Sequence, residues 1–281
     1  MDAPSKAVLV TGCSTGIGRA TAERLARGGV TVYASARRPE SIEDLSRAGC
    51  RTLALDVTDE DSMRAAVEEV ERAEGAVGAL VNNAGYSQSG ALETVALDDA
   101  RRQFETNVFG LLRMCQLVLP GMRRQGHGRI VNLSSMGGKL SFPGGGAYHA
   151  TKHAVEAISD VLRFEVRGFG IDVVVIEPGL IRTSFGETAV GSVPREEGAY
   201  GEFNSAVAAA TARVYDGPLA RLGAGPDAVA KVIERALTAR RPRTRYKVTA
   251  SARLLMAQRS LLPDRAWDAV VGTSFPRPGR T

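Results

Sequence analysis

Residues 7–18, which read AVLVTGCSTGIG, decide the fold of this protein. Four apolar residues are followed by glycines at positions 12, 16 and 18, and helical periodicity then extends over Thr15–Arg27. A strand that ends in a glycine-rich turn before a helix lets the backbone approach a pyrophosphate, and the free N–H groups of the new helix bind the anion. The context favours a dinucleotide site over an ordinary glycine-rich turn. The predicted contacts are Gly12, Ser14, Thr15, Gly16, Ile17 and Gly18.

The rest of the chain alternates short apolar runs with helical stretches. Strands that are apolar on both faces and separated by helices predict a parallel sheet covered on both sides. Right-handed crossovers make this a three-layer, doubly wound α/β fold of the Rossmann type. The predicted strands are Ala7–Thr11, Val30–Ala34, Thr52–Leu55, Ala79–Asn82, Arg129–Leu133, Ile171–Ile176 and Arg245–Val248. The predicted helices are Thr15–Arg27, Glu60–Glu74, Ala100–Arg123, Ala147–Gly168 and Asp227–Ala239.

The length of 281 residues predicts one domain over residues 1–281, with its core at about 5–250. A glycine-rich segment at about 183–226 is the predicted substrate loop, since a loop of this length is usually functional. The extension at about 249–275 is predicted to be helical with a break at Pro263. We expect it to cover the pocket or pack on the core, and packing in an oligomer or on a membrane surface are the alternatives. The apolar residues of this loop that are available to form the wall of a substrate pocket are Phe185, Val190, Val193, Tyr200, Phe203 and Val207.

Composition excludes several classes of function. The net charge of +5 comes from 36 basic and 31 acidic residues without a compact basic run, so nucleic-acid binding is not expected. The three cysteines form no CxxC pair and no metal-ligand spacing with the three histidines, so we expect no metal and a reducing, cytoplasmic location. No apolar stretch reaches 18 residues, so no transmembrane segment is predicted.

The end of the second strand distinguishes between the two nicotinamide cofactors. An NAD site has an acidic residue there for the ribose hydroxyls, whereas this chain has Arg37 and Arg38. Guanidinium groups bind phosphate in a bidentate manner, so these arginines and the Ser14 hydroxyl predict a 2′-phosphate and NADP(H) rather than NAD(H). Two solvated arginines at a helix start are the alternative.

Two further strand ends carry cofactor candidates. Asp56 and Val57 follow the third strand, where a carboxylate either meets an adenine amino group or caps the next helix. The fourth strand runs into Asn83, Ala84 and Gly85, at the edge where open sheets bind ligands. We expect these residues to support both the strand and the cofactor.

The helix predicted to open at Ala147 contains the residues expected to perform the chemistry. At 100° per residue, Tyr148 and Lys152 share one stripe with the apolar Val155 and Leu162, so they lie at the end of a buried face. An ammonium beside a phenol favours the phenolate and lowers the pKa of the phenol, as a general acid–base requires. A packed tyrosine with a solvent-reaching lysine is the alternative.

A second polar group is expected beside that pair. The predicted strand at Arg129–Leu133 ends in Ser134 and Ser135, thirteen residues before the tyrosine. A hydroxyl there would hydrogen-bond a substrate carbonyl, and the spacing alone does not choose between the two serines.

The order and spacing of these motifs resemble the single-domain short-chain dehydrogenases/reductases over about residues 5–250. The resemblance rests on TGCSTGIG (11–18), NNAG (82–85), NVFG (107–110), NLSS (132–135), YHATK (148–152) and PGLIRT (178–183). It narrows, on softer grounds, to the branch of NADPH-preferring 17β-hydroxysteroid dehydrogenases and related carbonyl reductases.

This resemblance implies specific roles. Tyr148 is the acid–base, Lys152 lowers its pKa and binds the nicotinamide ribose, Ser135 polarises the carbonyl, and Asn107 holds a water that relays protons. The nicotinamide end is expected to contact Pro178, Gly179, Ile181 and Thr183. As in the family, we expect a homodimer or homotetramer.

The predicted activity is reversible hydride transfer between NADP(H) and a carbonyl or secondary alcohol. The apolar residues of the substrate loop favour a bulky lipophilic substrate, such as a steroid or polyketide. Two alternatives stay open at this point: a non-redox isomerase or cyclase that reuses the tyrosine, and a nucleotide-sensing regulatory protein.

Overall fold

One sheet of seven strands forms the centre of the protein. The computed structural model describes residues 3–194, 198–216 and 222–279, so residues 195–197 and 217–221 of the predicted substrate loop lie outside the described residues. All neighbouring strands pair in parallel, as predicted, in the order β3-β2-β1-β4-β5-β6-β7. The strands are β1 (Val8–Val10), β2 (Val32–Ala36), β3 (Arg51–Ala54), β4 (Ala79–Asn82), β5 (Gly128–Leu133), β6 (Ile171–Pro178) and β7 (Arg245–Val248).

Helices cover both faces of the sheet. The helices are α1 (Gly16–Arg27), α2 (Glu60–Glu74), α3 (Leu97–Phe104), α4 (Leu111–Gln125), α5 (Gly146–Val166), α6 (Phe185–Gly191), α7 (Gly201–Asp216), α8 (Pro226–Thr238), α9 (Ala250–Leu261) and α10 (Asp264–Val271). One apolar cluster joins Leu9 of β1 to α2, α4 and α5, and another joins Val8 and Val10 to α1 and α8. Because neighbouring residues of β1 enter opposite clusters, the strand is buried on both faces, which confirms the three-layer prediction.

Some predicted boundaries are wrong by a few residues. The second strand begins at Val32 rather than Val30, because the Val30 amide still donates to the Leu25 carbonyl in the turn that ends α1. The single helix predicted at Ala100–Arg123 is wrong in two respects. It begins earlier, at Leu97, where Asp98 and Asp99 lie in the first turn and favour a helix N-terminus. A π-helical segment, Glu105–Gly110, then separates α3 from α4.

The segments beyond the sixth strand are more regular than a loop. The substrate segment contains α6 and α7, and the C-terminal extension forms α9 and α10 with a break before Pro263, as predicted. Across the described ranges, no helix is both long and apolar enough to cross a bilayer.

The strand order reverses direction at the centre of the sheet. The chain continues from β1 to β2 and β3 on one side, and then crosses to β4 on the other side of β1. The turns after these two central strands diverge, which leaves a crevice at the carboxyl edge where ligands bind in open α/β sheets. The turns after β5 and β6 end at the same edge.

Candidate active site

The turn after β1 has the geometry of a phosphate cradle. Gly12 and Gly16 adopt φ of +72° and +61°, which side chains disfavour. A Cβ placed on Gly18 would lie 2.4 Å from the Asn83 amide nitrogen and 2.4 Å from the Gly12 carbonyl oxygen. These positions therefore require glycine, and the turn includes the first N–H groups of α1, which begins at Gly16.

Asn83 holds this cradle to the turn after β4. Its Nδ2 donates to the carbonyl oxygens of Thr11 (2.9 Å) and Gly12 (3.0 Å), and the Thr11 hydroxyl accepts from the main-chain N–H groups of Asn83 and Ala84 at 3.0 Å. Asn83 thus fixes the shape of the turn, while direct contact of Asn83, Ala84 and Gly85 with a cofactor stays a prediction.

The segment after β6 lies over the same turn. The Thr183 methyl carbon would be 3.3 Å from a Cβ on Gly16, and the Ser184 hydroxyl donates to Thr15 Oγ1 at 3.2 Å. The remaining predicted contacts of this segment are placed less directly. Gly179 packs against the side chains of Thr249 and Ser251, and Ile181 is buried through a bridge to Ala224.

The arginines at the end of β2 point to solvent beside the crevice. Arg37 and Arg38 directly follow the strand and both are exposed. Among the described residues, no carboxylate lies within ion-pair distance of either guanidinium. Their charges are therefore available for an anionic ligand.

Asp56 is held in a turn after β3. Its Oδ1 accepts from the Thr58 amide at 2.9 Å and from the Thr58 hydroxyl at 2.8 Å. The capping role belongs instead to Asp59, which accepts from the amides of Asp61 and Ser62 at the start of α2. Of the two roles considered for Asp56, helix capping is therefore wrong, and the adenine contact stays a prediction. Val57 is buried against Gly110.

Lys152 is buried on α5 in the predicted position. Its side chain is directed to the end of β5, where Nζ donates to the Leu133 carbonyl oxygen at 2.8 Å. Nζ also lies 5.8 Å from the centroid of the Tyr148 ring. Burial lowers the pKa of Lys152 to about 8, and the Glu156 carboxylate opposes this change. The lysine is therefore enclosed beside the phenol rather than extended to solvent, which rules out the alternative interpretation.

Tyr148 is half-buried at the mouth of this face. The Phe185 ring, from the first residue of α6, meets it edge-on with centroids 5.4 Å apart. The phenol therefore lies between the lysine and the substrate segment.

The two serines after β5 differ in environment. Ser134 Oγ is inaccessible, lies 2.7 Å from where a Cβ on Gly138 would be, and has no hydrogen-bond partner within the described part of the chain. Ser135 is half-buried, and its Oγ accepts from the Gly137 amide at 3.0 Å. Because an accepting hydroxyl keeps its own hydrogen, Ser135 is still able to donate. The surroundings thus favour Ser135 for contact with a ligand.

Asn107 connects the loop after β4 to helix α5. It lies in a π-helical turn, Glu105–Gly110, between α3 and α4. Its Nδ2 donates to the Tyr86 carbonyl (2.9 Å) and to Thr151 Oγ1 (3.1 Å), and its Oδ1 accepts from the Tyr86 amide. Both amide hydrogens are used in this way, and the proposed water relay stays a prediction.

Comparisons with known proteins agree with this arrangement. Residues 6–191 match the family described as short chain dehydrogenase, which covers more than half of the chain. The chain belongs to the short-chain dehydrogenase family. It is therefore an oxidoreductase. A solved serine dehydrogenase complexed with NADP+ is 27% identical to it, with a TM-score of 0.75.

Individual relatives align with nearly the whole length of this short-chain dehydrogenase. It is 37% identical over 267 residues to the uncharacterized oxidoreductase YbbO of Escherichia coli (strain K12), covering 95% of this chain and 94% of the relative. It is 35% identical to the NADPH-dependent 3-dehydrocapnine reductase of Ornithobacterium rhinotracheale, covering 93% and 94%. A solved short-chain dehydrogenase from Streptomyces avermitilis has 36% identity and a TM-score of 0.80, covering 97% of both chains.

His149 of this short-chain dehydrogenase is not among the residues predicted from the sequence to form the site. The ring is buried beside Tyr148, and its Nδ1 lies 3.2 Å from the Gly137 carbonyl oxygen. Burial lowers the pKa of His149 to about 4, so the ring is neutral near pH 7. It fills the space above Gly137 and Gly145, where a Cβ would lie within 2.5 Å of its nitrogens. The adjacent glycines were the available sequence signal.

The C-terminal helices α9 and α10 pack against the segment after β5, residues 134–142, which is the serine turn. Trp267 of α10 is buried, and its Nε1 donates to the Ser141 carbonyl oxygen at 3.2 Å. A separate apolar cluster joins Trp267 and Met256 to Met136, Leu140 and Phe142, in the segment after Ser135. The predicted packing role of the extension is confirmed at these contacts, although its target is the serine turn.

Proposed function

We propose that this short-chain dehydrogenase transfers a hydride between NADP(H) and a carbonyl or secondary alcohol. The observation that carries the proposal is the enclosed Lys152 ammonium beside the Tyr148 ring, with Ser135 on the adjacent turn. The glycine cradle after β1 opens at the same edge of the sheet.

The residues of the chain supply the proton and the positioning. During reduction, Tyr148 donates its phenolic proton to the developing alkoxide, and during oxidation the phenolate accepts it back. The Lys152 ammonium stabilises the phenolate and so lowers the pKa of Tyr148. The Ser135 hydroxyl donates to the substrate oxygen and holds it near the phenol.

The residues around the crevice fit a dinucleotide. Gly12, Gly16 and Gly18 would hold the pyrophosphate, Lys152 the nicotinamide ribose, and Arg37 a 2′-phosphate. When bound, the nicotinamide supplies or accepts the hydride. The exposed Arg37 without a carboxylate partner in the described ranges supports NADP(H), as does the NADPH dependence named for the Ornithobacterium rhinotracheale relative.

The side chains near the phenol favour a lipophilic substrate. Phe185 contacts Tyr148, and an apolar cluster behind it joins the loop after β4 to α7. This cluster contains Ala91, Val193, Phe203 and Val207, with Tyr200 and Phe275 packed against it. A bulky ketone would bury its apolar surface against the half-buried Phe185 ring, at about 25 cal/mol per Å², while the cluster holds this side of the site in place.

A second copy of the chain would cover an exposed apolar face. Phe164 is 86% exposed and Val161 58% exposed on α5, and Phe109 is 52% exposed just before α4. Large apolar patches of this kind mark protein interfaces. We therefore propose a homodimer or homotetramer formed through these helices.

The test is a panel of ketones and alcohols followed at 340 nm with NADPH and with NADH. Tyr148→Phe is the matched control, since it removes only the phenolic hydroxyl. We expect turnover of bulky lipophilic ketones with NADPH and a loss of about 10²-fold or more in the variant. Product formation without any change in absorbance would favour the isomerase or cyclase alternative, and turnover of small charged ketoacids alone would contradict the substrate class.

A further inference from the structure

A cluster of charged side chains lies behind the catalytic pair and has no part in the proposed chemistry. Its members come from the connection after β5, from α5, from the end of β6 and from β7. The cluster consists of Lys139, Glu156, Asp160, Glu177 and Arg245. Charged residues are seldom buried unless they are paired, so the arrangement calls for a role.

Glu156 occupies the centre of this charge cluster. Its side chain is only 5% exposed, and its Oε2 lies 2.9 Å from Lys139 Nζ and 3.0 Å from the Arg245 guanidinium. It follows Lys152 by four residues on α5, so the two side chains share one buried face. The carboxylate therefore has two cations on one side and the Lys152 turn on the other.

Gly138 allows this close approach. A Cβ at Gly138 would lie 2.9 Å from Glu156 Cγ and 2.9 Å from the Lys152 carbonyl oxygen. The α5 turn that contains both residues thus packs directly on the backbone of the serine turn. The position of Glu156 is consequently fixed by the same contact that fixes Lys152.

Glu177 is a further carboxyl group of this charge cluster. It is fully buried, with its Oε1 3.6 Å from Arg245 Nε, and its oxygens have no hydrogen-bond partner among the described residues. Burial, with a contribution from Glu156, raises the pKa of Glu177 to about 7. At the pH at which Lys152 titrates, Glu177 is therefore largely ionised and adds its charge to those of Glu156 and Asp160. The cations of this region are Lys139, Arg245 and Arg163, which pairs with Asp160 at 2.6 Å.

We propose that Glu156 is a positioning residue that keeps Lys152 in its ammonium form, with Lys139 and Arg245 holding the carboxylate in place. The importance of that charge for activity rests on the proposed function. Without the Glu156 charge, Lys139 and Arg245 would repel the buried Lys152 ammonium, and only Asp160 and Glu177 would compensate in part. The lysine would then lose its proton at lower pH.

Asp160 provides a matched control within the same charge cluster. It also pairs with Arg245, at 2.6 Å, but lies one turn further along α5 and is 41% exposed. Asp160→Asn therefore removes the same charge from the same arginine as Glu156→Gln. Solvent screens the change at Asp160 much more strongly.

The experiment is an NMR titration of the lysine ¹³Cε signals in the full-length protein without cofactor. The chain has only five lysines, and Lys152→Arg assigns the signal of interest. We expect Glu156→Gln to lower the midpoint of Lys152 by about one pH unit. We expect Asp160→Asn to change it by less than about a third of that. An unchanged midpoint in Glu156→Gln, or equal changes in both variants, overturns the proposal.

A third variant covers the case in which Glu156→Gln does not fold. Lys139 is 36% exposed, so Lys139→Gln leaves the core intact while removing a cation that faces Glu156. We expect the Lys152 midpoint to rise, and a constant or lowered midpoint overturns the proposal. Because the titration needs no substrate, it separates this inference from the proposed function, which fails only if the 340 nm assay does.

Discussion

The Lys152 ammonium donates a 2.8 Å hydrogen bond to the main-chain carbonyl of Leu133, the last residue of β5. This bond joins α5 to the strand that directly precedes the two serines. Because the Lys152 side chain is buried in the core, burial is the main influence on its protonation state. Burial lowers the pKa of Lys152 to about 8, which places its titration within the working range of an enzyme.

We therefore predict that activity falls as pH rises through about 8. Above that pH the amine is neutral and no longer stabilises the Tyr148 phenolate. The measurement is kcat/KM for ketone reduction between pH 6 and pH 10. In Lys152→Arg the decline assigned to the amine should move to higher pH, because arginine stays protonated. The same decline in both proteins would contradict the assignment.

Lys152→Met should lose about 10²-fold or more in kcat.

Gly18→Ala should weaken both the fold and cofactor binding. The added methyl group would lie 2.4 Å from the Asn83 amide nitrogen and from the Gly12 carbonyl oxygen, so the cradle must open. Overpacking of this kind costs about 1–3 kcal/mol, measurable by urea unfolding. Gly168→Ala is the control, since no atom lies within 4 Å of its Cβ position and its φ is not in the positive region. Equal losses in both variants would contradict the packing argument.

Arg37→Asp should reverse the preference between cofactors. Loss of a charge-assisted bond to phosphate costs about 1.5–3 kcal/mol, so KM for NADPH should rise by about 10- to 100-fold. KM for NADH should change little or improve, since an acidic residue suits the ribose hydroxyls. Arg47→Asp, a charge reversal on an exposed arginine after β2, controls for the change in net charge. Comparable effects in the two variants would mean that Arg37 acts only through the general field.

Trp267→Ala should reduce both stability and turnover. The indole packs on Phe142, with ring centroids 5.7 Å apart, and bonds to the Ser141 carbonyl, so its loss leaves a cavity under the serine turn. Truncation of a buried tryptophan costs about 3–5 kcal/mol. The measurements are the melting temperature and kcat at a temperature where the variant is folded. Trp267→Phe should retain most of the packing, and a fully active Trp267→Ala would exclude a link to Ser135.

Glu177→Gln should change how stability depends on pH. The pKa of Glu177 is raised to about 7 in the folded protein, so the native state binds its proton more tightly than the unfolded chain does. This contribution is complete below pH 4.5 and disappears as pH rises from 4.5 to about 7. Between pH 5 and pH 8 the wild type should lose up to about 3 kcal/mol more unfolding free energy than the variant. The measurement is urea unfolding of both proteins at both pH values. The same change in unfolding free energy in wild type and variant would contradict this.

The sequence was sufficient for the sheet and for the positions of Tyr148 and Lys152 on α5. The glycines at 12 and 16 are required by their positive φ, and the buried stripe of α5 follows from its period. Both signals are local, because they depend on residues that are close along the chain. The prediction was weaker at strand β2, where a turn that wraps back on Leu25 displaced its start.

The sequence by itself therefore determined the doubly wound sheet, the phosphate cradle and the pairing of Tyr148 with Lys152. The tertiary structure decided that Ser134 is enclosed while Ser135 stays accessible, and that Asp59 rather than Asp56 caps α2. It also decided that Trp267 packs under the serine turn. These outcomes depend on contacts between segments far apart in the chain, and neither periodicity nor residue spacing encodes which side chains meet there.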